Sequence, residues 1–291
     1  MPAPADTTSG GPLWAVMYHS VADPTDDPYQ VTVSPDRLER QLRWLRRRGL
    51  TGVSMAELLR ARAEGRGAGL VGLTFDDGYA DFVTTAVPLL RRYGCTATVF
   101  VLPGRPGGSN EWDPLGPRKP LLTEDGVREA AAAGMEIGSH GLLHVDLVTA
   151  DDATLAAETG RSRELLRALT GTEVGGFCYP YGTVDARVVA AVRAAGYAYG
   201  CAIDPGPLTG LFALPRIHVG EGDTGLKLTL KRRLHGRRRA PVPAAAFAEY
   251  ARSAAYRASV AGTTAPAAPA APGAPTAQTT PTAPTAPVVT R

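Results

Sequence analysis

Two pairs of side chains in this sequence have types and spacings suited to hydrolysis. Asp76 and Asp77 stand side by side in TFDDGY (74–79), and His140 and His144 frame the four-residue step in GSHGLLH (138–144). Asp-Gly alone is a common turn dipeptide. Two adjacent carboxylates directly after a hydrophobic run, however, are costly to bury unless something positive such as a metal ion neutralises them. Two imidazoles at this spacing can converge on one ion across a single turn. Gly141, Leu142 and Leu143 lie between them, so the glutamate base of an H-E-x-x-H metalloprotease is absent. A base must come from elsewhere, and one Asp of the pair can serve while the other binds the ion. Two His and one Asp leave coordination positions open for water and substrate, as catalytic sites do. Zinc fits these ligands, and Co2+, Ni2+, Fe2+ or Mn2+ can also be held by them. Two more hydrophobic runs end in polar groups: VMYHSV (16–21), whose His19 is either a packed ring or an acid–base group, and FCYPYG (177–182).

Such groups need a scaffold that ends several strands in one place. The runs LWAVMYHS, GLVGLTF, CTATVFVL, MEIGSH, GGFCYPY, YAYGCAI and ALPRIHV are short and nearly continuously apolar, as strands buried on both faces are. Between them, SPDRLERQLRWLRRRG (34–49) predicts a helix, with Ser34 as cap, Pro35 in the first turn, Leu38, Leu42 and Leu45 at helical spacing, and Gly49 as the stop. LTEDGVREAAAAG (122–134), capped by Thr123 and closed by Gly134, predicts another, as do ATLAAETGRSRELLRALTG and VDARVVAAVRAAG. Strands alternating with helices imply parallel pairing in an α/β fold. About seven such units fit a barrel or a doubly wound sheet, and no G-x-G-x-x-G follows the first strand, which disfavours a dinucleotide-binding fold. In a barrel, chemistry gathers at the carboxyl ends of the strands.

TFDDGY, then SHGLLH, then FCYPYG, each at the end of a successive strand, resembles the polysaccharide deacetylase family, the NodB-homology domain of carbohydrate esterase family 4. The resemblance covers roughly residues 13–235. It implies a distorted (β/α)7 barrel of the NodB-homology type and metal-dependent removal of N- or O-acetyl groups from an acetylated oligo- or polysaccharide. It also implies that Asp76 is the general base, that Asp77, His140 and His144 bind the metal, and that the backbone N–H of Tyr181 helps hold an oxyanion. Three departures stand out. Gly141 replaces the small hydroxyl residue that often follows the first metal histidine. Cys178 replaces the arginine usually found two residues before the Pro of the third motif. A base near a metal needs an orienting partner, and Arg216 in ALPRIHV is the replacement candidate, since from another strand end it can pair with Asp76. Third, the late L-x-x-H histidine that acts as general acid has no clear match after Arg216. VMYHSV resembles the early strand that carries this acid in the circularly permuted poly-N-acetylglucosamine deacetylases. That assigns the acid to His19, with His218, on the same strand face as Arg216 by alternation, as the competing residue.

The rest of the chain bounds these expectations. At 291 residues, 44% hydrophobic and 20% charged, it is long enough for one large domain with a full core. The net charge is only +3, and much of the positive excess lies in KLTLKRRLHGRRRAP (227–241), without interleaved aromatics or a groove-reading motif. That excludes nucleic acid as the expected partner and leaves contact with an anionic surface. Three cysteines (Cys95, Cys178, Cys201) without C-x-x-C spacing read as core packing. Trp14 and Trp44 read as core, whereas Trp112, in the Pro/Gly-rich loop 102–120, is placed either to stack on a sugar or to pack the loop. The N-terminus lacks the pattern of a signal peptide, and no apolar run reaches the roughly 20 residues of a membrane span, so the expected location is cytoplasmic, or cell-wall-associated by another export route. The expected organisation is a flexible N-terminus (1–12), the barrel (13–235), a basic, Ala-rich helical extension (236–261) and a disordered Ala/Pro/Thr-rich tail (262–291). Two other functions fit the same residues: an amidase acting on a small acylated or cyclic-amide compound, and a non-catalytic glycan-binding protein.

Overall fold

The computed structural model describes residues 13–238 and 241–261; the expectations for 1–12 and 262–291 lie outside the described residues. The apolar runs form strands β1 (Ala15–Tyr18), β2 (Ser20–Val21), β3 (Thr32–Val33), β4 (Thr51–Val53), β5 (Leu70–Phe75), β6 (Thr98–Val101), β7 (Glu136–Ser139), β8 (Gly176–Cys178), β9 (Tyr199–Ala202), β10 (Leu214–Pro215) and β11 (Ile217–His218). The main sheet runs β10-β9-β8-β7-β6-β5-β1-β11, with β4 beside the start of β5, and its pairings are parallel. Its two ends, β10 and β11, are separated in sequence by Arg216 alone, so the path closes on itself as a barrel. ALPRIHV is thus one predicted strand broken at one residue.

Large and small residues alternate across the barrel, which lets a narrow interior fill without clashes. Phe100 pairs with Gly138, Tyr199 with Gly176 and Phe177 with Gly200. A Cβ at Gly138 would lie 2.5 Å from the Phe100 ring, so that position needs glycine for space.

Helices cover the outside. In α1 (Pro35–Arg47) the Ser34 side chain accepts from Arg37 N–H, and Leu38, Leu42 and Leu45 are buried, as their spacing predicts. Thr123 caps α4 (Glu124–Ala132) in the same way. Two helices escape the sequence patterns: α2 (Met55–Ala63), only nine residues long, and α3 (Val87–Arg92), which follows a wide π turn at Phe82–Ala86. Pro88 lacks the N–H that would close a regular turn there, which accounts for the irregular entry. A second π turn, Ala157–Arg161, divides the predicted 153–171 helix into α5 (Asp152–Ala156) and α6 (Ser162–Thr170). After α7 (Ala186–Ala194) and the basic α8 (Gly225–Arg238), the Ala-rich end forms two helices, α9 (Ala244–Ala251) and α10 (Ala254–Ala261), where one was expected. The break falls at Arg252–Ser253, where the Ser253 hydroxyl accepts from Tyr256 N–H as the cap of the second helix. Phe247 and Tyr250 of α9 are buried, and the Tyr250 hydroxyl donates to the Ala56 carbonyl, seating this end on α2.

Candidate active site

The barrel brings the expected chemistry to one end. Asp76 and Asp77 follow β5, His140 follows β7, Pro180–Gly182 follow β8, His19 separates β1 from β2, and Arg216 separates β10 from β11. A cleft of about 400 Å³ opens over them, lined by His19, Asp76, Asp77, His140, His144 and Tyr181 together with Trp112, Tyr29 and Gln30.

At its floor, Asp77 Oδ1 lies 3.2 Å from His140 Nε2 and 3.3 Å from His144 Nε2, all three side chains buried. Burial by itself would raise the Asp77 carboxyl, but hydrogen bonds from both imidazoles hold it well below the usual carboxylate range. Burial would likewise lower His140, yet Asp77 raises it. His140 Nδ1 meets the Cys178 carbonyl at 2.9 Å, which fixes the ring so that Nε2 faces Asp77. His144 Nδ1 is buried with no hydrogen-bond partner among the described residues, and its ring is held by aromatic packing. Trp112 stacks on it at 4.3 Å between centroids and 15°, and Tyr181 meets it edge-on at 4.6 Å. Trp112 thus packs against a histidine of the site while also lining the cleft. One carboxylate oxygen and two imidazole nitrogens converging this closely are a donor set suited to a zinc-type divalent ion with positions left open.

Beside this triad, Arg216 reaches into the barrel and forms a bidentate pair with Asp76: Nη1 to Oδ1 at 2.6 Å and Nη2 to Oδ2 at 2.8 Å. Nη1 also donates to Thr74 Oγ1 at 2.8 Å, and Nε to the Ala202 carbonyl at 3.3 Å. Burial would raise Asp76, and the guanidinium overrides it, holding the carboxyl below its ordinary value. The pairing across strands expected from sequence is thus present. Cys178 is buried as expected of a core cysteine, but its neighbours are polar: Sγ is 3.4 Å from Asp76 Oδ2 and 2.9 Å from Arg216 Nη2. Burial pushes that thiol well above its usual range, so it stays protonated beside the carboxylate.

Backbone strain gathers at the same place. Among the described residues the non-glycine positions with positive φ are Gln30 (58°), Asp77 (69°), His144 (68°) and Tyr181 (59°), and each lines the cleft. Each such residue costs on the order of 1 kcal/mol or more and persists where surrounding structure enforces it, typically at functional sites.

His19 and His218 face each other across the opposite wall, ring centroids 6.3 Å apart. His218 Nε2 lies 3.0 Å from the carbonyl of strained Gln30, and burial together with nearby His19 lowers its pKa. His19 Nδ1 is buried with no hydrogen-bond partner among the described residues. Tyr29 and Gln30 are parts of the wall that no sequence signal marked, whereas Asp113 lies beside Trp112 in the Pro/Gly-rich loop already singled out.

A buried carboxylate paired with arginine, next to a carboxylate–imidazole donor set at the carboxyl ends of a parallel barrel, defines the class: a barrel hydrolase with a metal-type centre. Residues 63–200 match the family model for polysaccharide deacetylase. YxkH of Bacillus subtilis, named for a polysaccharide deacetylase, is 28% identical over 215 residues, covering 72% of each chain. A poly-β-1,6-N-acetyl-D-glucosamine N-deacetylase of Staphylococcus aureus is 23% identical over 203 residues, 65% of this chain and 68% of that one. Among solved structures, a Streptococcus pyogenes deacetylase, PplD, aligns with a TM-score of 0.65 at 24% identity, covering 76% of this chain and 98% of that one. IcaB from Ammonifex degensii aligns with a TM-score of 0.63 at 23% identity, covering 76% and 97%. Over residues 63–200 the chain is thus similar to the polysaccharide deacetylase family, and its curated relatives carry deacetylase names.

Proposed function

We propose that this protein removes N-acetyl groups from an N-acetylglucosamine-containing polysaccharide, with Asp76 as base and His19 as acid. What carries the reading is the convergence of both imidazole Nε2 atoms within 3.3 Å of Asp77 Oδ1, beside a carboxylate that Arg216 keeps ionised. A divalent ion held by those three residues, zinc or else Co2+, Ni2+, Fe2+ or Mn2+, would supply Lewis-acid polarisation of the acetamide carbonyl and lower the pKa of water. The chain's own groups do the rest. A carboxylate oxygen of Asp76 takes the proton of the attacking water as its oxygen bonds to the carbonyl carbon. The Tyr181 backbone N–H, aimed by the left-handed conformation of that residue, donates to the developing oxyanion. The His19 ring protonates the amine nitrogen as the C–N bond breaks and acetate leaves. Arg216 orients Asp76 and prevents burial from protonating it.

A polymer suits the shape better than a small amide. A second depression of about 370 Å³ adjoins the cleft through Gln30 and His218, giving room for neighbouring sugars. Lys227 and Lys231 of α8 line it beside Asp27, Glu221 and Asp223, with Lys231 paired to Asp223; we infer that the 227–241 basic segment contacts an anionic surface. A polymer of this kind lies outside the cell, which favours a cell-wall or extracellular place of action; no described helix is long and apolar enough to cross a membrane.

The test is acetate release from N-acetylglucosamine oligomers by the purified protein, first with chelator and then with zinc or cobalt restored. Metal-dependent release is expected; no release from protein shown to hold metal would refute the assignment.

A further inference from the structure

The two histidines of the triad are joined by a turn rather than a helix, and the turn is not self-supporting. Gly141 has φ +86° and His144 φ +68°, so the N–H groups of Leu142 and Leu143 point away from the loop with no helical acceptors. They point at Glu158. Its Oε2 accepts from Leu142 N–H at 2.6 Å and from Leu143 N–H at 3.1 Å, and Oε1 accepts from Leu143 N–H at 3.2 Å. Glu158 is 2% exposed, and among the described residues no cation lies within ion-pair distance of it. A carboxylate is expensive to bury for packing alone; here its acceptors are spent on one loop.

The surroundings are shaped to hold that carboxylate. It sits in the π turn Ala157–Arg161, whose extra residue shifts the helix face toward the loop. The Ser162 hydroxyl donates to the Glu158 carbonyl at 2.6 Å, Ser139 Oγ donates to Ser162 Oγ at 2.9 Å, and Gly141 N–H donates back to Ser139 Oγ at 3.2 Å, a ring of bonds tying the end of β7 to the helix and the turn. A Cβ on Gly141 would stand 2.6 Å from Glu158 Oε2, so the carboxylate occupies the space where a side chain after His140 would go. From the other side, Gly104 N–H and Arg105 Nε donate to the carbonyls of Leu142 (3.0 Å) and Leu143 (3.1 Å).

We propose that Glu158 is a positioning residue for the metal: by fixing the Leu142–Leu143 turn it returns the His144 ring to the Asp77 and His140 side chains. This rests on the metal-site reading above. The experiment measures Zn2+ and Co2+ dissociation constants by competition with a chelating dye, the visible spectrum of the Co2+ form, and urea stability of the metal-free protein. It does so for the full chain, Glu158→Gln, Glu158→Asp and His140→Ala. Glu158→Gln should weaken metal binding about 10- to 100-fold, as loss of an outer partner does, and alter the cobalt spectrum. Glu158→Asp, which keeps a carboxylate one methylene short and folds more readily, should fall between it and the unsubstituted chain. If both Glu158 variants lose only metal-free stability while binding metal with unchanged affinity and spectrum, the residue is a structural brace and the proposal fails. If the unsubstituted chain binds metal no better than His140→Ala, the metal-site reading fails first, and this one with it.

Discussion

Replacing Arg216 by Met is the sharpest test of how the base is prepared. The substitution keeps an unbranched side chain in the barrel but removes both bonds to Asp76 and those to Thr74 and the Ala202 carbonyl. Asp76 is only 3% exposed, and the Cys178 thiol at 3.4 Å would then be its remaining partner. Stripping one member from a buried pair costs about 3–5 kcal/mol. Protonation offers an escape that caps the loss: keeping a carboxyl neutral at pH 7 against an unfolded value near 3.9 means about three pH units at ~1.4 kcal/mol each, or about 4 kcal/mol. The sign with pH follows. In the native pair the folded pKa is depressed, so its stabilisation is present above the unfolded value and fades as pH falls through the folded one. In the Met variant the folded pKa is raised, so stability is lost as pH climbs above about 4. Urea unfolding of the metal-free proteins should therefore show a gap near 4 kcal/mol at pH 7 that shrinks by about 1.4 kcal/mol per unit down to pH 5. The acid limb of the rate profile should move upward as well. A gap below about 1 kcal/mol, or one flat between pH 5 and 7, would refute the claim that this guanidinium holds Asp76 ionised.

Chelation should lower the melting temperature as well as abolish activity: metal at a hundredfold excess over its dissociation constant adds about 2.7 kcal/mol, and calorimetry of His140→Ala should show no such metal-dependent rise. His19→Ala should keep its metal and lose about 10²- to 10⁴-fold in rate, whereas His218→Ala, whose ring serves the Gln30 carbonyl, should retain most of it; the reverse ranking in acetate-release assays would transfer the acid role to His218. Trp112→Ala removes the ring stacked on His144, worth about 0.5–1.5 kcal/mol, and should weaken metal binding by no more than about tenfold in the same dye competition. Pairing Cys178→Arg with Arg216→Ser moves the guanidinium to the end of β8, where Cys178 Sγ now lies 2.9 Å from Arg216 Nη2, and should recover part of the rate lost in Arg216→Ser alone.

Sequence carried the chemistry further than the architecture. The strand-end motifs were legible because burying Asp76-Asp77 after an apolar run has few physical excuses, and the structure gathers Asp77, His140 and His144 at one point. The long helices were legible because a cap, an apolar spacing and a stop agree, as at Ser34 to Gly49. What stayed hidden has at most a short local signature. The β4–α2 unit is three plus nine residues, too short for periodicity to speak, although Ser54 followed by Glu57 is a capping signal that marks its start. Glu158 reads as one more polar residue on a helical stretch, because only the π turn and the closed barrel bring it to the loop.

The break at Arg216 links these observations. β10 pairs with β9 and β11 pairs with β1, so the chain passes from one end of the sheet to the other at Arg216, the residue whose guanidinium reaches the Asp76 carboxylate. The same economy recurs around the cleft. Asp77, His144 and Tyr181 each leave their strand or loop through a left-handed step that bends the backbone so that a side chain or an N–H faces the centre. Regular β-structure fixes the rim to within a residue, and departures from it aim the groups. The strain is then tolerable because each strained residue is clamped by a second contact: Asp77 by two imidazoles, His144 by two aromatic rings, Gln30 by His218. Removing any clamp should loosen the geometry before it unfolds the barrel, since the core that holds the strands together lies below the cleft and shares none of these contacts.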